Sequence, residues 1–186
     1  MAVLTHLEDY FGGVSNTWSC DEDGAKFKFT IAQFAGGPIK NIDTYSTIGL
    51  SDVAMKSRVS KKLIRHELFI MKRPSEHKNV PALLLQIGMD AIKKEQPYLR
   101  GDVICKPGRL FDNSEMVSLF ITNSMYMPSS FGECISTTGA PVVFAWLVPI
   151  TRGEALFVHD NGWRKFEDKI VELETDLLDV QRASMV

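Results

Sequence analysis

The chain has 186 residues, 45% of them hydrophobic and 24% charged, with 21 basic side chains against 23 acidic ones. That composition excludes a disordered chain and fits one globular domain over residues 1–186, large enough to fold without a metal or disulfide staple. A formal charge of −2, with the basic residues scattered in pairs such as Lys61-Lys62 and Lys93-Lys94, leaves no electrostatic footprint for nucleic acid or an anionic membrane.

No apolar run reaches the ~20 residues of a membrane span. The start, MAVLTHLEDYFGG, has neither the basic head nor the apolar stretch of a signal peptide. Cys20, Cys105 and Cys134 are far apart and odd in number. Together these features point to a cytoplasmic protein with reduced thiols.

Leu4, Leu7 and Phe11 recur at i, i+3 and i+7, which predicts a short helix over 3–11, stopped by Gly12-Gly13. Asp21-Glu22-Asp23 reads as an exposed acidic turn. From Lys26 to Phe34, Phe27, Phe29 and Ile31 alternate with Lys26, Lys28 and Thr30, the pattern of a strand with one wet face. Gly36-Gly37-Pro38 breaks it. Residues 42–48 read as a second strand, and a polar loop follows to Lys61. From Leu63 to Met71, Ile64, His66, Leu68 and Ile70 share one face of a third strand, with Arg65 and Glu67 on the other.

Pro81 sits where a first helical turn tolerates it, and a mostly buried helix is expected from Pro81 to Glu95. Residues 96–115 are rich in Pro, Gly, Asp and Asn and read as a long connection. Strands are predicted over 116–125 and 142–148, and a charged helix over 163–174 with Phe166, Ile170 and Leu173 at i, i+4 and i+7. The closing LLDVQRASMV continues that helix or forms an edge strand. Mixed rather than alternating, this order predicts an α+β protein with helices packed on a mixed, largely antiparallel sheet.

The segment LVPITRGEALFVHDNG, Leu147 to Gly162, asks whether His159 and Asp160 form a catalytic lip. Thr151-Arg-Gly-Glu154 fits a capping box, and Asn161-Gly162 fits a helix stop. His159 then suits the negative end of the helix dipole. A strand turning into a capped helix accounts for every polar residue there.

Other catalytic patterns are missing. RHELF has no second His four residues on, as a metalloprotease helix needs. No nucleophile elbow or phosphate-binding loop occurs. Cys134 reads as a small core residue rather than a nucleophile paired with His159. No enzyme, metal or cofactor is expected.

Five segments, in order, resemble a bacterial Suppressor-of-fused-like domain: HLEDYFG at the start, TYSTIGLSD at Thr44 to Asp52, RHELFIMKR at Arg65 to Arg73, FAWLVPITRGEALFVHDNG, and the terminal LDVQRASMV. The resemblance implies a Suppressor-of-fused-like α+β fold that binds proteins and catalyses nothing. Small bacterial members of that family resemble immunity proteins, which neutralise a cognate secreted toxin by stoichiometric binding in the cytosol. The animal relatives bind a peptide by strand addition, and a regulatory module of that kind is the alternative. The extra C-terminal domain of the animal proteins is not expected here. A monomer or weak homodimer is expected, with two candidate partner-binding surfaces. One is Asp21, Glu22 and Asp23, which would steer a basic toxin. The other is an exposed face of RHELFIMKR carrying Arg65, Glu67, Phe69 and Met71, although a helix could equally cover Phe69 and Met71.

Overall fold

The computed structural model describes residues 2–20, 26–35, 39–74 and 79–186. Helix α1 (Ala2–Phe11) buries Leu7 and Phe11, as the spacing predicts. Strands β1 (Val14–Cys20), β2 (Lys26–Ala35) and β3 (Asp43–Ile48) follow. A turn of 3-10 helix at Leu50–Asp52 leads into a small hairpin of β4 (Met55–Lys56) and β5 (Leu63–Ile64), then β6 (His66–Lys72). Helix α2 (Val80–Lys94) precedes β7 (Val103–Cys105) and β8 (Met116–Thr122). Short β9 (Glu133–Ile135), long β10 (Pro141–Thr151), α3 (Arg152–Asn161) and α4 (Trp163–Glu172) complete the elements.

The main sheet runs β1-β2-β3-β6-β10-β8-β7, and β9 pairs with the start of β10. Every pairing in it is antiparallel except β6 with β10, where His66 to Phe69 lie beside Val143 to Trp146. This is the mixed, largely antiparallel α+β fold that the element order predicts.

Three layers result. On one face α1, α3, α4 and the segment at Leu177-Leu178 bury Phe34, Phe69, Phe120, Trp146 and Val148. On the other, α2 lays Val80, Leu84, Ile87 and Ala91 on Phe29, Ile31, Leu68, Ile70 and Leu147. The second contact is close. A Cβ on Gly88 would lie 2.4 Å from Cζ of Phe29, so α2 can seat against β2 only because residue 88 has no side chain.

Because helices cover both faces, all seven residues of β6 are buried. The expected wet face of this strand is therefore corrected: a strand covered on both sides has no place for solvent, whatever its alternation suggests. His66 is fully buried, with no partner on either ring nitrogen among the described residues. Burial lowers its pKa to about 4, so the imidazole is neutral.

Strands β1 and β9 lie in stretches the sequence leaves unassigned. The expected polar loop and long connection are corrected: β4 forms within the first, and β7 interrupts the second by pairing with β8. Residues 173–186 form turns and an irregular tail rather than a helix or strand.

Candidate protein-binding site

Two buried carboxylates organise the framework, and the second lies at the start of the helix that walls the candidate site. Glu67 on β6 is fully buried. The hydroxyl of Thr47 donates to its Oε2 at 2.5 Å. The N–H of Gly49 at 2.9 Å, the N–H of Ser51 at 3.1 Å and the hydroxyl of Ser51 at 2.7 Å all donate to Oε1. The same Thr47 oxygen accepts the N–H of Leu68 at 2.9 Å, so the hydroxyl is held from both sides. Gly49 takes φ +94°, the left-handed conformation that turns the chain around the carboxylate. Burial pushes Glu67 up to about 7, and the four donors pull against that shift.

The second carboxylate is Glu154 in the first turn of α3. The expected capping box is present: Glu154 N–H donates to Thr151 Oγ1 at 3.2 Å, and Thr151 N–H donates to Glu154 Oε2 at 2.9 Å. Arg182 clamps the same carboxylate with two bonds of 2.5 and 2.9 Å. The N–H of Met185 adds a bond at 3.1 Å, and Ser184 meets the Thr151 hydroxyl at 2.9 Å. The irregular tail is thus strapped to the start of α3. The helix stop also stands: Gly162 follows with φ +86°, and its N–H donates to Val158 O at 2.9 Å.

Between α3 and the sheet edge lies an apolar groove of about 690 Å³. Val103, Cys105 and Val117 line one side, and Ala155, Leu156 and Val158 the other, with Lys106, Arg152 and His159 also on its walls. Leu156 is 55% exposed there, a large apolar group left in water. His159 bonds Asp160 Oδ1 at 2.8 Å, in the open. No hydrogen bond joins it to Cys105 or Cys134 among the described residues. Cys134 sits half-buried on β9, where burial raises its thiol pKa.

Among the described residues, strand β7 is the last in the sheet. Asp102 O accepts from Ile121, and Lys106 N–H donates to Val117. Ladder bonds alternate in an antiparallel pair, and β7 pairs Ile104 with Leu119. Val103 and Cys105 therefore turn their N–H and C=O groups away from β8. An unpaired edge beside an apolar groove is a template for another chain.

Of the partner-binding candidates singled out from sequence, those the structure describes do not line this groove. Asp21, Glu22 and Asp23 fall outside the described residues. Arg65 is half-buried and donates to the carbonyls of Ser51 and Asp52, both at 2.8 Å. Glu67, Phe69 and Met71 are at most 1% exposed. The expected exposed face is corrected: α1 and its neighbours cover Phe69 and Met71, and the turn from Gly49 to Ser51 covers Glu67.

The family model described as Suppressor of fused protein (SUFU) matches residues 27–183. The chain belongs to the Suppressor of fused family. It is 23% identical over 185 residues to Immunity protein YqcF of Bacillus subtilis (strain 168), covering 95% of this chain and 91% of that protein. The crystal structure of a Suppressor of fused homologue from Neisseria gonorrhoeae superposes with a TM-score of 0.69 at 23% identity, covering all of this chain and 95% of that one. A chain of the Sufu–Fu complex gives a TM-score of 0.72 at 16% identity, with 99% of this chain and 91% of that one covered. Drosophila Suppressor of Fused matches at 0.69 and 17% identity over 99% of this chain, which spans half of that protein.

The Suppressor of fused motifs read in the sequence line the two carboxylate networks. Thr47, Gly49 and Ser51 of TYSTIGLSD surround Glu67 of RHELFIMKR. Thr151 and Glu154 of PITRGE meet Arg182 and Ser184 of the closing segment. Among the described residues, no helix is long and apolar enough to cross a membrane, and no group of three or more His, Cys, Asp or Glu side chains is placed to hold a metal.

Proposed function

We propose that this protein is an immunity protein that binds one cognate toxin stoichiometrically in the cytosol and covers its active site without turnover. End-to-end likeness to a protein named an immunity protein carries this reading. The groove between α3 and β7 is the candidate surface for this contact, with an apolar floor, Arg152, Lys106 and Asp102 on its walls, and an outward-facing strand edge.

Titration of the cognate toxin tests it. Residual activity should fall in proportion to added protein and level off at one equivalent, with Kd about nanomolar or tighter. Complete neutralisation by a small sub-stoichiometric amount would instead identify an enzyme acting on the toxin.

A second reading, a regulatory module that takes an endogenous peptide by strand addition, is favoured by the outward-facing backbone of Val103 and Cys105. Cys105→Pro removes an outward N–H and leaves the bonds to β8 in place. Tight toxin binding that survives this change would mean that covering by side chains, not strand addition, carries the contact.

A further inference from the structure

We propose that the β4–β5 hairpin and the adjoining end of α2 form a second docking surface, shaped for an acidic, partly aliphatic segment of a partner protein. The inference deepens the protein-binding reading and rests on it. Residues 56–65, KSRVSKKLIR, carry five cationic side chains and no carboxylate. Every residue from Arg58 to Leu63 is exposed. Val59 is 75% and Leu63 70% exposed, more than any other large apolar side chain among those described.

The tip is held in one conformation from within. Ser57 is buried, and its N–H donates to Lys62 O at 2.8 Å while its carbonyl accepts from Lys61 N–H at 3.1 Å. Its hydroxyl oxygen accepts the N–H groups of Val59 and Ser60, both at 3.2 Å. Arg58 pairs with Asp102 and ties the hairpin to the start of β7. A surface ordered before its partner arrives loses little conformational freedom on binding.

The fold also gathers charge that is scattered in sequence. Arg58 and Lys94 line one cleft of about 240 Å³, together with Gln96, Tyr98 and Asp102. Lys93 and Lys94 are both exposed in the last turn of α2, and Lys94 is the one that reaches this cleft. Among the described residues, Lys56, Lys61, Lys62, Lys93 and Lys94 make no ion pair. The carboxylates at hand are Asp102, engaged by Arg58, Asp90, engaged by Lys106, and Glu95 next to Lys94. On a chain of net charge −2, this is a local positive excess that favours an acidic partner.

The apolar component narrows the class. The hairpin tip carries no aromatic ring, and Tyr98 in the cleft is a single, partly buried ring, which is too little for a base-stacking platform. Two aliphatic side chains are too little to anchor in a bilayer. Acidic side chains interspersed with aliphatic ones would meet Lys61, Lys62 and Lys94 while covering Val59 and Leu63.

Fluorescence anisotropy with a labelled ten-residue peptide alternating Glu and Leu tests the surface, against a Gln-Leu counterpart, a labelled oligouridylate and phosphatidylserine vesicles. Lys61→Glu/Lys62→Glu and Val59→Ser/Leu63→Ser alter exposed residues only, and thermal melts should show both variants folded. Expected is binding of the Glu-Leu peptide that weakens with salt, falls about tenfold in either variant, and is weak for the Gln-Leu peptide. Binding of the Glu-Leu peptide that is absent, or equal in wild type and both variants, would overturn the proposal. So would tighter binding of the oligouridylate or the vesicles, lost in the same variants. If Lys61→Glu/Lys62→Glu leaves peptide binding and toxin neutralisation both unchanged, this surface fails and the protein-binding reading stands. If the hairpin variants lose the peptide but wild type neutralises no toxin, the toxin reading fails alone.

Discussion

Arg182→Met tests whether the strap from the tail to α3 stabilises the whole domain. Methionine keeps much of the apolar stem but removes the guanidinium fork. Arg182 is 7% exposed and Glu154 not at all, so the carboxylate would be left charged and buried with only the N–H groups of Thr151 and Met185 as partners. Removing one partner of a buried ion pair costs about 3–5 kcal/mol, and loss of two charge-assisted bonds at about 1.5–3 kcal/mol each gives a similar figure. At roughly 2–4 °C per kcal/mol for a domain of this size, Tm should fall by about 10 °C. Glu154→Gln added to Arg182→Met removes the stranded charge and preserves the cap, since Gln also serves at that position. The double variant should therefore be more stable than Arg182→Met alone, with a coupling of about 2 kcal/mol. Urea unfolding followed by circular dichroism and tryptophan fluorescence measures both. A cost under about 1 kcal/mol for Arg182→Met, or a double variant as unstable as the sum of the singles, would mean the pair is not the clasp that the geometry implies.

For Glu67, a pKa raised from 4.5 to about 7 means that the folded state holds a proton the unfolded chain has lost. This group's contribution is then present at low pH and declines as pH rises from about 4.5 through 7. The advantage of wild type over Glu67→Gln in urea midpoint should shrink over that window, and a constant or growing gap would show that the four donors outweigh desolvation. Gly88→Ala should destabilise by about 1–3 kcal/mol through overpacking against Phe29, read from the same melts. Leu156→Arg should leave Tm within about 2 °C, because the side chain is half exposed, yet weaken toxin binding at least tenfold by isothermal titration calorimetry. Unchanged affinity would remove the groove from the interface.

The parts of the fold legible in sequence are those whose signal is local. Thr151 and Glu154 declare the start of α3 because both halves of the capping box lie within four residues. Leu7 and Phe11 declare α1 by their spacing. Alternation in β6 was visible too, but it cannot say whether one face or two are covered. That depends on α1 and α2 arriving from elsewhere, so Phe69 and Met71 read as exposed when they are core. Strand β7 has three residues, too few to show a period of two, and sits among Gly101, Pro107 and Gly108. The groove was hidden for that reason. Strand β1, VSNTWSC, is an edge with mostly exposed side chains and carries little apolar pattern to read. The meeting of Arg58 with Lys94 is a product of tertiary packing alone, and each pair of lysines looked solitary in the chain.

The parallel pairing of His66 to Phe69 beside Val143 to Trp146 sets the order in which the polypeptide can be completed on the ribosome. Strands β1, β2, β3 and β6 can assemble as soon as they emerge, but one side of β6 stays open until β10 has been synthesised. During that interval Leu68, Phe69 and Ile70 sit on an unfinished strand edge. Such an edge exposes nascent chains to mispairing, and closing it requires a long-range contact of the kind that slows folding. Expression at lower temperature, or with trigger-type chaperones in excess, should raise soluble yield for this reason, and variants that weaken β10 should aggregate during synthesis more than their equilibrium stability would suggest.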